Sequence, residues 1–127
     1  MNYKGIIYEN ETYNLRNAFF EVHNIMGNGF MERVYQECME RELMLRQIPF
    51  ESQKELQLSY KGQPLATQYK PDLICYGKII IEIKAIKEIR AEHEAQLINY
   101  LKATSIRLGL IVNFGAAHKV EVLRRII

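Results

Sequence analysis

"PDLICYGKIIIEIKA", Pro71 to Ala85, decides the fold. It is apolar enough for two buried strands, and Tyr76-Gly77 marks a turn between them. Asp72 interrupts it at the start, and Glu82 and Lys84 interrupt it near the end. In a hairpin, directly opposed residues share a face, and loop length sets which residues oppose. A two-residue loop, Tyr76-Gly77, sets Asp72 against Ile81 and sends Glu82 to the other face. A three-residue loop, Cys75-Tyr76-Gly77, sets Asp72 against Ile80 and keeps Asp72, Glu82 and Lys84 on one face. We favour the second register, because it gathers Leu73, Cys75, Ile79, Ile81 and Ile83 on a wholly apolar opposite face.

Two carboxylates at neighbouring diagonal positions repel unless a proton or a cation sits between them. A hard divalent ion such as Mg2+ suits such an oxygen site, since it needs few protein ligands and keeps several waters. An ion of this kind polarises a phosphoryl oxygen and lowers the pKa of a bound water. Lys84 then stands ready to orient that water or to stabilise charge in the transition state. The competing reading is a solvated strand face, with Asp72 as a strand-end residue.

Outward from this stretch, the periodicity defines the other elements. Leu15, Ala18, Phe19, Val22, Ile25 and Met26 recur at helical steps from about Asn10 to Met26. The "GNG" of Gly27 to Gly29 stops that helix. A second helix is expected from Phe30 to about Arg46, with Val34, Cys38 and Leu45 on its apolar stripe. Strands are expected around Leu56 to Tyr60, from Pro64 to Cys75 and from Lys78 to Ala85, joined antiparallel by short turns. "EIRAEHEAQLINYLKAT" predicts a third helix, carrying Ala95, Ile98, Leu101 and Lys102. "RLGLIVNF" predicts a central strand, and "KVEVLRRII" alternates as a fifth. The order α-α-β-β-β-α-β-β, with the fourth strand parallel to the third, predicts an α/β domain on a mixed central sheet flanked by helices. One domain over residues 1–127 is the economical reading.

Bulk properties set the boundaries. The chain has 127 residues, 48% hydrophobic and 25% charged, which excludes a disordered chain. Its formal net charge of +2 is compatible with a polyanionic partner. Cys38 and Cys75 form no CxxC pair, and no His/Cys set has zinc-ligand spacing. His23, near the glycine turn, fits a core or capping role better than ligation. There is no P-loop and no GxSxG elbow. No apolar run is long enough to span a membrane, and "MNYKGIIYENETYN" does not read as a secretory signal. The expected location is the cytoplasm.

Pro71-Asp72 with Glu82-Ile83-Lys84 resembles the signature of the PD-(D/E)xK nuclease superfamily, whose restriction-endonuclease-like core has the predicted element order. "QLINY" adds Gln96 and Tyr100, similar to the QxxxY motif of its RecB-like branch. "GFMERVY" contains Gly29, Glu32 and Tyr35, the pattern of the GxxExxY family within that superfamily. "NYLKAT", "GLIVNFG" and "RRI" are also similar to that family, so the resemblance runs from about Leu15 to Arg125. It implies a Mg2+- or Mn2+-dependent nuclease acting on DNA ahead of RNA. Asp72 and Glu82 would be metal ligands, with the Ile83 backbone carbonyl as a third. Lys84 would be the catalytic lysine and Glu32 a further acidic site residue. Gln96 and Tyr100 would support the site or touch the nucleic-acid backbone. Scattered cations from Lys54 to Arg125, without a base-reading module, imply backbone-directed binding. The alternative on the same fold is a catalytically silent module that binds nucleic acid or a protein partner.

Overall fold

The computed structural model describes residues 7–127. Residues 1–6, the start of the stretch read above as lacking a secretory signal, lie outside the described residues. In chain order the elements are α1 (Glu9–Met26), α2 (Glu32–Leu45), β1 (Phe50–Ser52), β2 (Leu56–Tyr60), β3 (Gln63–Tyr69), β4 (Leu73–Cys75), β5 (Ile79–Lys84), α3 (Ala91–Thr104), β6 (Leu108–Asn113) and β7 (Glu121–Ile126). Among the described residues no helix is long and apolar enough to cross a membrane.

β5 and β6 consist largely of isoleucine, leucine and valine, and nearly every side chain in them is buried. Such runs belong in the middle of a sheet covered on both faces. The two pair in parallel, with α3 as the crossover. β4 and β7 close on either side in antiparallel fashion, and β1 forms the edge, giving the order β1-β4-β5-β6-β7. This is the mixed, helix-flanked sheet that the pattern predicts.

Two strands exceed the expectation. The run from Pro64 to Cys75 is not one strand but two, β3 and β4, separated around Pro71-Asp72. Proline lacks an N–H for a ladder and restricts the residue before it, so the pairing changes partner there. β3 pairs with β2 in a separate two-stranded ribbon. The central sheet instead receives β1, three residues too short to show a period of two.

The odd-numbered residues of the hairpin, Leu73, Cys75, Ile79, Ile81 and Ile83, enter one apolar cluster with α1 and α2. On the opposite face Ile80 and Ile111 pack with Leu97 and Leu101 of α3 and with Tyr69. α1 buries Leu15, Ala18, Phe19 and Val22 as expected, but Ile25 is 70% exposed. In α2 the buried stripe is Tyr35, Met39 and Leu43, one position away from the expected one, and Leu45 is 79% exposed. The aromatic ring decides the rotation. Tyr35 stacks on Phe114, with centroids 4.6 Å apart, and its hydroxyl donates to the Gly27 carbonyl at 2.6 Å.

β5 ends against a buried polar clasp. Asn113, wholly buried, pairs with Lys84 in the parallel ladder. Its Oδ1 accepts from the N–H groups of Ile86 (2.9 Å) and Gly115 (3.0 Å). Its Nδ2 donates to the Ile86 carbonyl (3.0 Å) and to Glu121 Oε1 (2.7 Å). All four hydrogen-bonding positions of the amide are filled, so its loss would strand several buried backbone groups. Asn113→Ala is expected to lower the unfolding free energy by about 2–4 kcal/mol, read as a shift in the urea midpoint at unchanged slope.

Candidate functional site

The β4–β5 ladder pairs Cys75 with Ile79, Ile74 with Ile80 and Leu73 with Ile81. The loop thus holds three residues, but they are Tyr76, Gly77 and Lys78 rather than Cys75 to Gly77. Tyr76 and Gly77 both take the left-handed conformation (φ 57° and 69°), and the Lys78 N–H closes the turn on the Cys75 carbonyl at 3.1 Å. One step along the ladder, Asp72 stands directly opposite Glu82 rather than diagonal to it, and the two share a face.

The carboxylates exchange backbone donors across the strands. The Asp72 N–H donates to Glu82 Oε1 (3.1 Å), and the Ile83 N–H donates to Asp72 Oδ2 (2.7 Å). Both side chains are half-buried. Burial raises the Asp72 pKa above the ordinary value; the Ile83 N–H opposes the shift and the Glu32 carboxylate adds to it. Burial, followed by repulsion from Asp72, pushes Glu82 up to about 7. Among the described residues neither carboxylate has an ion-pair partner within 4 Å. Lys84, two positions beyond Glu82 on the same strand face, is the cation that acts on both.

Asp72 and Ile83 line an open pocket of about 230 Å³ with Glu32, Arg33, Gln36 and Gln53. Glu32 is the first residue of α2, where a negative charge suits the helix dipole. Its position follows from Tyr35, whose hydroxyl ties α2 to the Gly27 carbonyl and accepts the Phe30 N–H at 3.3 Å. Gly29 in that connection has φ +110°, a value that L side chains rarely adopt. Gln36, one turn after Glu32, donates to the Asp72 carbonyl (2.9 Å) and to Glu40 (3.0 Å). Sequence reasoning missed this polar stripe, although Glu32, Gln36 and Glu40 carry its i, i+4, i+8 signal. It also missed Tyr69 and Gln53, which only the chain reversal at Pro71 brings to the site.

Tyr69 lies on the other side of Glu82. Its ring stacks on Tyr100, with centroids 3.6 Å apart and planes 3° apart. Its hydroxyl is buried beside the Glu82 carboxylate yet makes no hydrogen bond of acceptable geometry. Tyr100 therefore meets the carboxylate pair through Tyr69, not directly. Gln96 is exposed on α3 and does not line the pocket. The second buried atom without a partner is His23 Nε2, at the end of α1.

Among the described residues no three His, Cys, Asp or Glu side chains converge into a metal-holding group. Zinc-type coordination by several side chains therefore does not fit. A hard divalent ion bound through one or two carboxylates and several waters does. The mutual repulsion of Asp72 and Glu82 asks for such a charge.

A family model described as the PD-(D/E)XK nuclease superfamily matches residues 9–126. No curated protein matches the chain. Among solved structures, the crystal structure of SSO0001 is similar at a TM-score of 0.58 and 20% identity. The alignment covers 95% of this chain and 60% of that one; the likeness is one of fold.

The raised carboxyl gives the metal-free protein a pH signature. The Glu82 carboxyl titrates at about 7 when folded, against an ordinary value of 4.5. Across that window the folded protein keeps a proton that the unfolded chain releases, so stability falls as pH rises from 4.5 to 7. Asp72, also raised, acts in the same direction. Denaturant titrations in EDTA should show lower stability at pH 8 than at pH 5, and Glu82→Gln should flatten that decline.

Proposed function

The chain belongs to the PD-(D/E)XK nuclease superfamily, and we propose that it is a divalent-metal-dependent nuclease that hydrolyses phosphodiester bonds, with DNA ahead of RNA as substrate. The observation that carries this reading is the half-buried Asp72–Glu82 pair, opposed across β4–β5 without an ion-pair partner. Within the superfamily we place the chain in the GxxExxY family, on Gly29, Glu32 and Tyr35.

Asp72 and Glu82, with the Ile83 main-chain carbonyl, would hold Mg2+ or Mn2+. When bound, the ion supplies Lewis acidity towards a phosphoryl oxygen and a lowered pKa for a water. Lys84 offers an ammonium group on the same face, where it stabilises negative charge growing on the phosphoryl oxygens. Glu32, which lines the pocket with Asp72, is the further acidic residue that would take a proton from the attacking water. Tyr69, backed by Tyr100, packs beside the Glu82 carboxylate. Gln96, exposed on α3, is left to contact the nucleic-acid backbone. We expect the binding to be directed at the nucleic-acid backbone.

A second reading has its own observation. Each carboxylate already spends one oxygen on a backbone N–H, which is what a catalytically silent binding module on this fold would also need. Metal binding separates the two. On the nuclease reading, calorimetry shows Mn2+ binding to the wild type that Asp72→Ala abolishes. Labelled DNA is cut with Mg2+ or Mn2+, and Asp72→Ala and Lys84→Ala each cut at least ~100-fold more slowly. A wild type that binds no divalent ion and cuts nothing would leave the silent module.

A further inference from the structure

Apart from Tyr69 at its inner end, the β2–β3 ribbon has no role in the site described so far. The excursion from Lys54 to Pro71 begins and ends at the carboxylate pocket. Gln53 and Asp72 both line that pocket, and the Gln53 N–H donates to the Asp72 carbonyl at 3.2 Å, pinning the base of the excursion. From this base the two strands run out antiparallel to a turn at Lys61-Gly62, where both residues have positive φ (50° and 79°). Leu56 and Leu58 hold the inner end of the ribbon against the α3 cluster. Beyond them it is exposed, all along β3 as far as Gln68. Packing against α3 supports the inner end of this two-stranded ribbon, and its outer part projects its side chains into solvent.

Its chemistry favours a polyanion. No Asp or Glu occurs between Glu55 and Asp72, whereas Lys61 and Lys70 do. Lys70 is offset by an exposed pair with Glu55 at 3.3 Å. Lys61 has no ion pair among the described residues and lies 5.5 Å from the centroid of the Tyr60 ring. Tyr60 is 64% exposed. The outermost groups of the arm are thus an ammonium with no ion pair among the described residues and the exposed aromatic ring it lies over, the two groups that hold a phosphate and a base. Four strand steps put the tip roughly 13 Å from the inner end, about the length of four stacked nucleotides.

We propose that the β2–β3 ribbon is a nucleic-acid-binding arm, in which Lys61 pairs with a phosphate and Tyr60 stacks on a base a few nucleotides from the bond held at Asp72 and Glu82. The inference rests on the nuclease reading for its ligand. It adds the surface that the strand follows away from the site.

The test is fluorescence anisotropy of a labelled DNA strand of about 30 nucleotides, single-stranded and as a duplex. It is run in EDTA and again in Ca2+, across a salt titration. Lys61→Gln should lower the slope of log affinity against log salt by about 0.7–0.9. Tyr60→Ala should weaken single-strand binding by about fivefold or more. Both side chains are exposed, so thermal unfolding should match the wild type. If the wild type binds DNA and both variants bind with unchanged affinity and salt slope, the arm is not a nucleic-acid surface, while the nuclease reading stands. The ribbon would then be a protein-docking element. If the wild type binds no DNA in either condition, the arm falls as a DNA-binding surface, and the nuclease reading is decided separately by metal binding and cleavage.

Discussion

Two carboxylates held against each other at the end of the β4–β5 hairpin set the terms for everything around them. Water cannot fully solvate a half-buried pair, so each carboxylate borrows a backbone N–H from the opposite strand. That exchange orients the side chains without cancelling their charge. Burial, with the residual repulsion added to it, raises the Glu82 carboxyl to about 7. A site of this kind accepts a proton or a hard cation, and the two compete for the same oxygens.

Two buried polar anchors make the arrangement rigid. Tyr35 ties the start of α2 to the Gly27 carbonyl while its ring stacks on Phe114. Glu32, three residues earlier, is thereby presented to the pocket. Asn113 clasps the loop that follows β5 and sits opposite Lys84 in the ladder. Both anchors are fully buried and both have their hydrogen bonds made, the condition under which buried polar groups specify one geometry. "GxxExxY" and "NFG" thus combine groups that point into the site with groups that hold it in place.

Much of the fold was legible. The isoleucine-rich β5, the run of β6 and the helical period between them leave little choice but a parallel unit buried on both faces. The apolar face of the hairpin was legible too, because loops that differ by an even shift keep the same residues on the same side. The exact loop was not. Tyr76 takes a left-handed conformation that propensity does not assign to tyrosine, and this moved Asp72 from diagonal to opposite. β1 was invisible because three residues show no period. The stripe of α2 was misjudged by one position because Tyr35 reads as an amphipathic surface residue until Phe114 is found against it.

By itself the sequence determined which polar residues interrupt the apolar strands: Asp72, Glu82 and Lys84 have no other polar neighbours there, and strand alternation puts them on one face. It also determined the central parallel pair and the helices that cover it. Only the tertiary structure decided what surrounds those residues. It separated Pro64 to Cys75 into a ribbon and a core strand, stacked Tyr69 on Tyr100 beside Glu82, and set Glu32 and Gln36 across from Asp72. Periodicity reports only which side of its own element a residue faces. Contacts between α2, the ribbon and the hairpin end join residues on different elements, Gln36 to Asp72 across 36 positions, and packing of rings and closure of the chain at Gln53 and Asp72 select them.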